Sequence, residues 1–285
     1  MPLLPLVRKL FRGYRPILID FGPKPRPRWG YGSPAHALLC ERLAADRDAY
    51  RKRLAEILAQ RERLRVIPAH GDQAQREPYW INGYLPGLDA AALYAFVAGR
   101  APRHYVEIGS GHSTRFAARA IRDHRLATTI TTIDPAPRAS VEGLADTIVR
   151  ARLEDQDPAS IIARVAAGDV LFYDGSHRAF ENSDVTVFFL EIVPRLPAGV
   201  LVQVHDICLP FDYPPGWEDR WYSEQYLLAA YLLGGAGGIR IVLPNTFVSA
   251  EESLRSLCDP VWDAPGLEQV ERRGSSFWFE TTGRG

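Results

Sequence analysis

HYVEIGSGHSTRFAARAIRDHRLATTITTID, residues 104–134, is the stretch that decides the fold. HYVEIG (104–109) reads as a strand, STRFAARAIRDH (113–124) as a helix and ATTITTID (127–134) as a second strand. Gly109 and Gly111 stand between the first strand and the helix, where a tight turn and a close backbone approach to a ligand need a residue without a side chain. Strand, tight turn and helix alone would explain the same pattern. The alternation continues downstream. TIVRARL (147–153), DVLFYD (169–174), GVLVQVHD (199–206), GIRIVLP (238–244) and SSFWFET (275–281) read as strands. A short segment after Asp134, then PASIIARVAA (158–167), FENSDVTVFFLEIVPRL (180–196) and SEQYLLAAYLLGG (223–235) read as helices. Such alternation implies a doubly wound α/β fold, a mostly parallel sheet with helices on both faces. Its ligand belongs at the carboxyl ends of the strands, where the winding reverses.

Three residues narrow the ligand. Thr114 occupies the place of a third glycine, which argues against a dinucleotide pyrophosphate. Glu107, two residues before Gly109, would repel a phosphate but suits a cationic sulfonium. Asp134 ends the second strand, where a carboxylate accepts hydrogen bonds from both hydroxyls of a ribose; a solvated turn aspartate is the plainer account.

Outward from this core the chain changes character. Residues 1–34 are rich in Pro, Gly and Arg and read as an extended arm. From Ala35 to about Arg65, Leu43, Tyr50, Ile57 and Leu64 recur every seven residues beside Leu39 and Leu54, which predicts one long amphipathic helix. Packing onto the domain accounts for that stripe, and a homodimer seam is the alternative. WINGYLPGLDAAALYAFVAG (80–99) follows as a loop and a helix from Asp89. The 285 residues suit one large α/β domain with an appendage, or two small domains.

Lys+Arg and Asp+Glu balance at 34 each, so the whole chain has no general attraction for nucleic acid. Residues 1–65 nevertheless hold an excess of about nine positive charges. Lys9, Lys24 and Lys52 all lie there, so no lysine is available to the core domain. Cys40, Cys208 and Cys258 are odd in number and widely spaced, which fits neither a metal cage nor a disulfide framework. With no segment of membrane-spanning length and no unbroken signal-peptide core, a cytoplasmic protein is expected, with neither membrane nor nucleic acid as partner.

VEIGSGHST followed by TTIDPAP resembles the glycine loop and ribose acid of class I S-adenosylmethionine-dependent methyltransferases. A bacterial subgroup with WxNGYLPGLDAAALY, DGSH and HDIxLPxDYPPxW is the nearer resemblance, over roughly residues 76–285. It implies a Rossmann-like sheet of seven strands with one antiparallel strand, the last two strands forming its final hairpin. It divides the chain into an arm and helix, 1–75, and a methyltransferase domain, 76–285. S-adenosylmethionine would bind at Glu107, Gly109, Ser110, Gly111 and Asp134, with adenine near Arg152, Leu153 and Glu154.

Methyl transfer to an alcohol is an in-line displacement that requires alignment and removal of a proton, by a base or with help from a metal. DGSH places Asp174 at the end of the fourth strand and His177 three residues later; HDI places His205 and Asp206 at the end of the fifth. Neighbouring strand ends lie about 5 Å apart, so Asp174 and Asp206 could converge on one cation. The arrangement resembles metal-dependent O-methyltransferases acting on catechols and on sugars of natural products. By that resemblance Asp174 and His177 are catalytic, His177 being the base, and Asp174, His205 and Asp206 would hold Mg²⁺ or Mn²⁺. His205 departs from the pattern, which has a carboxylate or amide there, and the set could equally hold no metal. Asp174-Gly175 is also a common turn dipeptide. Phe211, Tyr213, Trp217, Trp221 and Tyr222 would wall a small-molecule or sugar acceptor or merely pack their loop, and Trp80, Asn82 and Tyr84 would close the pocket opposite. A nicotinamide-dependent oxidoreductase is disfavoured by Thr114 and the lack of a Tyr-x-x-x-Lys pair. A nucleic-acid methyltransferase is disfavoured by the acidic core domain, and a non-catalytic methyltransferase-like partner protein by the intact Glu107, Asp134, Asp174 and His177.

Overall fold

A computed structural model describes residues 24–137 and 141–283; most of the expected arm, residues 1–23, lies outside the described residues. The expected long helix is three pieces, α1 (Ala37–Ala44), α2 (Arg47–Ala59) and α3 (Arg61–Leu64). Asp46 leaves helical geometry, and its carbonyl accepts from Ala49 and Tyr50 N–H to start α2 afresh; aspartate favours such helix starts over helix interiors. Leu39, Leu43, Tyr50, Leu54, Ile57 and Leu64 are all buried in the same core as the sheet. The seven-residue stripe is therefore covered within the chain.

Helix α4 (Gly87–Arg100) is apolar almost all round and buried from Gly87 to Val97, packed between α2 and α5 (His112–His124). Strand β1 (His104–Ile108) precedes α5 and β2 (Thr129–Ile133) follows it. Then come β3 (Thr147–Val149), α6 (Pro158–Ile162), β4 (Val170–Tyr173) and α7 (Asp184–Val187), which runs on through a π turn, Phe188–Ile192. The short helix expected after Asp134 falls partly on residues 138–140, outside the described residues; the described remainder is turn. Helix α6 stops five residues short of its expected end. There the Asp169 carboxylate takes the Ala166 N–H (2.9 Å) and closes a turn instead. Strand β5 (Leu201–Val204), α8 (Glu224–Leu233), β6 (Ile239–Pro244), α9 (Asn245–Ala250), α10 (Glu252–Arg255), α11 (Asp259–Trp262) and β7 (Phe277–Thr281) complete the chain.

The seven strands lie in the order β3-β2-β1-β4-β5-β7-β6, all parallel except β7, which runs antiparallel to both neighbours. This is the expected doubly wound sheet. Its order reverses between β1 and β4, where helices leave on opposite faces and open a crevice. The register lines up the residues that follow each strand. Gly109 N–H donates to Ile133 O (3.0 Å), Asp174 N–H to Ile108 O (2.8 Å) and His205 N–H to Tyr173 O (2.9 Å). The ladder thus runs one residue past the strands and sets four loop starts side by side. Among the described residues no helix is long and apolar enough to cross a membrane.

Candidate active site

At the turn after β1 the two glycines serve different ends. Gly109 has φ +77°, and a Cβ there would stand 1.9 Å from the Asp174 carbonyl oxygen, so the neighbouring loop enforces glycine. A Cβ on Gly111 would meet nothing within 4 Å, which leaves space beside the backbone. Asp134 ties this turn down. Its Oδ2 accepts from Ser110 N–H (2.8 Å) and Oγ (3.1 Å), and its Oδ1 from Ala136 N–H (2.8 Å). Glu107 lies fully buried beneath the turn and does not wall an open crevice. The Tyr105 hydroxyl donates to Glu107 Oε1 (3.1 Å) and the Thr114 hydroxyl to Oε2, while Thr114 accepts from Gly111 N–H (3.1 Å). Burial raises the Glu107 carboxyl to about 7, against three hydroxyl hydrogen bonds that favour the ion. Glu154 follows β3, partly buried, 3.7 Å from the Arg152 guanidinium.

The loops after β4 and β5 bring Asp174, His177, His205 and Asp206 together. His177 Nε2 lies 3.2 Å from Asp174 Oδ1 and 3.8 Å from Asp206 Oδ2, and His205 Nδ1 lies 3.8 Å from Asp174 Oδ1 and 3.4 Å from Asp206 Oδ1. Two carboxylates unmarked by the sequence stand behind the rings. Glu224, at the start of α8 and fully buried, reaches His177 Nδ1 at 2.5 Å. Asp89, in the first turn of α4, sits 3.5 Å from His205 Nε2 and accepts from Ser275 N–H (2.8 Å) and Ser276 N–H (2.9 Å). The His177 backbone is left-handed (φ 64°), as is that of Asp206 (φ 53°), a conformation that costs a non-glycine residue about 1–2 kcal/mol. Neighbours hold it. Ser223 N–H donates to the His177 carbonyl (2.8 Å), the Tyr222 ring lies 4.3 Å from the imidazole, and Asp184 takes Ser176 N–H (2.6 Å).

Burial opposes a positive charge on either ring, but the surrounding carboxylates outweigh it. Glu224 and Asp174 hold the His177 pKa well above the usual imidazole value, and Asp206, Asp174 and Asp89 raise His205 to about 10. Burial lifts Glu224 to about 7, against the pull of His177. The imidazoles thereby neutralise the acidic groups themselves. The expected metal set of Asp174, His205 and Asp206 is brought together here but finds no support as an ion site. Both His205 ring nitrogens face carboxylates, and among the described residues no group of three such side chains is disposed to hold an ion.

These groups open on a cavity of about 1140 Å³. Phe211, Trp217 and Tyr222 line it, as do Trp80, Asn82 and Tyr84, whereas Tyr213 and Trp221 line a smaller hollow of about 250 Å³. The Asn82 amide is spent on its own loop, accepting from Tyr84 and Leu85 N–H (2.9 and 2.8 Å). The described end of the arm contributes Tyr31, because Asp212 fastens Arg28 N–H (2.5 Å) and Trp29 N–H (3.1 Å) to the loop after β5.

Residues 106–207 match the family described as a methyltransferase domain. The matched methyltransferase segment runs from β1 to just beyond β5, so it holds the glycine turn, Asp134 and the whole Asp174–Asp206 cluster. The chain has the strand order of a Rossmann-like seven-stranded sheet with an antiparallel β7, and the family match is confined to the first five strands. No curated protein matches it. Solved structures similar to it include the S-adenosylhomocysteine-bound methyltransferase PaMTH1 of Podospora anserina, at 17% identity over 75% of this chain and 93% of that one, with a TM-score of 0.39. Another is the O-methyltransferase TomG of Streptomyces achromogenes, at 15% identity over 81% and 89%, with a TM-score of 0.38.

Proposed function

We propose that this chain transfers a methyl group from S-adenosylmethionine to a hydroxyl of a small-molecule or sugar acceptor, with His177 as general base. One observation carries the reading: a buried imidazole whose Nδ1 is fixed by Glu224, with Nε2 directed to Asp174 and Asp206 at the edge of a large cavity. The residues suit the cofactor, since Gly111 leaves space where a side chain would intrude and Asp134 follows β2 at the crevice. Gly109, Ser110, Gly111 and Asp134 would hold its nucleoside and Glu154 its base, with Glu107 bracing the turn from beneath through Thr114. Bound S-adenosylmethionine supplies a methyl group already activated on a sulfonium.

The chain's own residues then align and deprotonate. The acceptor hydroxyl enters from the cavity toward His177 Nε2, which takes its proton as the oxygen attacks. Glu224 keeps Nδ1 protonated and stabilises the resulting imidazolium, while Asp174 restrains the ring from the other side. Trp217 and Tyr222 cover this end and limit access of water, a competing nucleophile. No step is routed through a metal.

The test pairs His177→Gln with titrations of S-adenosylhomocysteine. Turnover on a panel of hydroxyl acceptors should fall by about 10²–10⁴-fold, with cofactor affinity retained. Undiminished turnover would remove His177 from the mechanism, and failure of wild type to take up the cofactor would end the methyltransferase reading. Activity in excess chelator should stay at the untreated level; its loss, restored by Mg²⁺ or Mn²⁺, would reinstate Asp174, His205 and Asp206 as ligands.

A further inference from the structure

The cavity beside His177 is also lined by Glu271 and by three arginines, Arg220, Arg255 and Arg273. Arg220 lies 3.9 Å over the Trp217 ring. Arg255 is ion-paired with Glu252, and Arg272 faces away to Asp259 and Asp263, each at 3.1 Å. Arg273 is exposed at the cavity and has no carboxylate within ion-pair distance among the described residues.

Its backbone is held on every side. The Arg273 carbonyl accepts from Leu88 N–H at the start of α4 (3.1 Å), Gly274 N–H donates to Ser249 Oγ (3.1 Å) and Ser275 N–H to Asp89 (2.8 Å). Ser275 in turn donates from Oγ to Asp206 Oδ1 at 3.2 Å. Two residues span at most about 7 Å of chain, so Arg273 springs from a point within one small molecule's length of the reactive cluster. Tyr31, brought in by the arm, also lines this cavity.

We propose that the acceptor is an anionic hydroxyl compound, carrying a carboxylate or phosphate that Arg273 binds while its hydroxyl is presented to His177. This rests on the methyltransferase reading and names the acceptor class for it. A guanidinium offers a planar fork of donors that matches either anion in bidentate fashion. A cation at one end and a base at the other would set the orientation of the bound molecule and leave a neutral analogue without its anchor. The cluster of Asp174, Asp206, Asp89 and Glu224 would repel an anion placed beside it, so the charge and the reacting hydroxyl belong at opposite ends of the acceptor.

Matched pairs test this on the full-length chain saturated with S-adenosylhomocysteine. Glucuronate is compared with glucose, glucose 6-phosphate with glucose, and 3,4-dihydroxybenzoate with its amide, by calorimetry or ligand-observed magnetic resonance. In at least one pair the anion should bind 10-fold or more tightly, the carboxylate and phosphate members reporting which anion fits. Arg273→Gln should abolish that preference with unchanged cofactor affinity, and Arg273→Lys should keep part of it. For any probe that is methylated, Arg273→Gln should raise KM and, through lost orientation, lower kcat by a smaller factor. Absence of an anion preference in every pair, or its survival in Arg273→Gln, overturns the proposal. Cofactor uptake is read in the same titrations, so collapse of the methyltransferase reading would register separately.

Discussion

The 2.5 Å contact between Glu224 and His177 decides what the imidazole can do. A buried carboxylate at Nδ1 fixes the tautomer and the plane of the ring, so Nε2 is the nitrogen that faces the cavity. It also raises the ring's pKa, so a base role requires pH above the ordinary imidazole range before the proton leaves. Glu224→Gln removes that charge. Its expected outcome is a fall in kcat of about 100-fold or more from lost ring orientation, with the acid limb of the pH–rate profile displaced downward. An unmoved limb in steady-state kinetics would mean that Glu224 only packs. Asp174, His177, His205 and Asp206 were legible because each follows a strand end on a sheet whose winding the pattern reveals. Glu224 and Asp89 were not, since an acid in the first turn of a helix already has a sufficient explanation in the helix dipole. Arg273 was hidden likewise, one arginine among many in a segment with no periodicity.

Across the turn that joins β1 to α5, two glycines that look alike in sequence carry separate duties. Gly109→Ala would combine a left-handed backbone with a methyl group driven into the Asp174 carbonyl. The expected cost exceeds about 2 kcal/mol, and Asp174 should be displaced with loss of turnover. Gly111→Ala adds its methyl to open space, so it should cost less stability and instead weaken cofactor binding. Thermal denaturation and calorimetry on both variants check the contrast; equal losses of stability would refute it. The sheet elements were readable from apolar runs bounded by turn residues, and the strands fell within their expected segments. The region 37–64 was readable in its buried stripe but not in its break at Asp46, because a seven-residue repeat persists across a short interruption. Helices α9 to α11 were missed altogether; each spans at most six residues, too few for a period to register.

For the molecule as a whole, buried acids make stability depend on pH. Glu107 titrates near 7 in the folded chain against 4.5 unperturbed, so between those values the folded state keeps a proton that the unfolded chain has released. Its contribution is complete below about 4.5 and is lost as pH rises through 7, a change on the order of 3 kcal/mol. The raised values of His177 and His205 act in the same sense at higher pH. In denaturant melts the advantage of wild type over Glu107→Gln should therefore be greater at pH 5 than at pH 8; a constant difference would contradict it. The strand order carries a further consequence during synthesis. Strand β7 is made after β6 yet lies between β6 and β5, so β6 leaves the ribosome with no neighbour to pair with. At about 5–20 residues per second, the connection 245–276 keeps that apolar strand waiting for seconds, and a nascent chain arrested there would present β6 and the open edge of β5 to any chaperone or neighbouring polypeptide within reach.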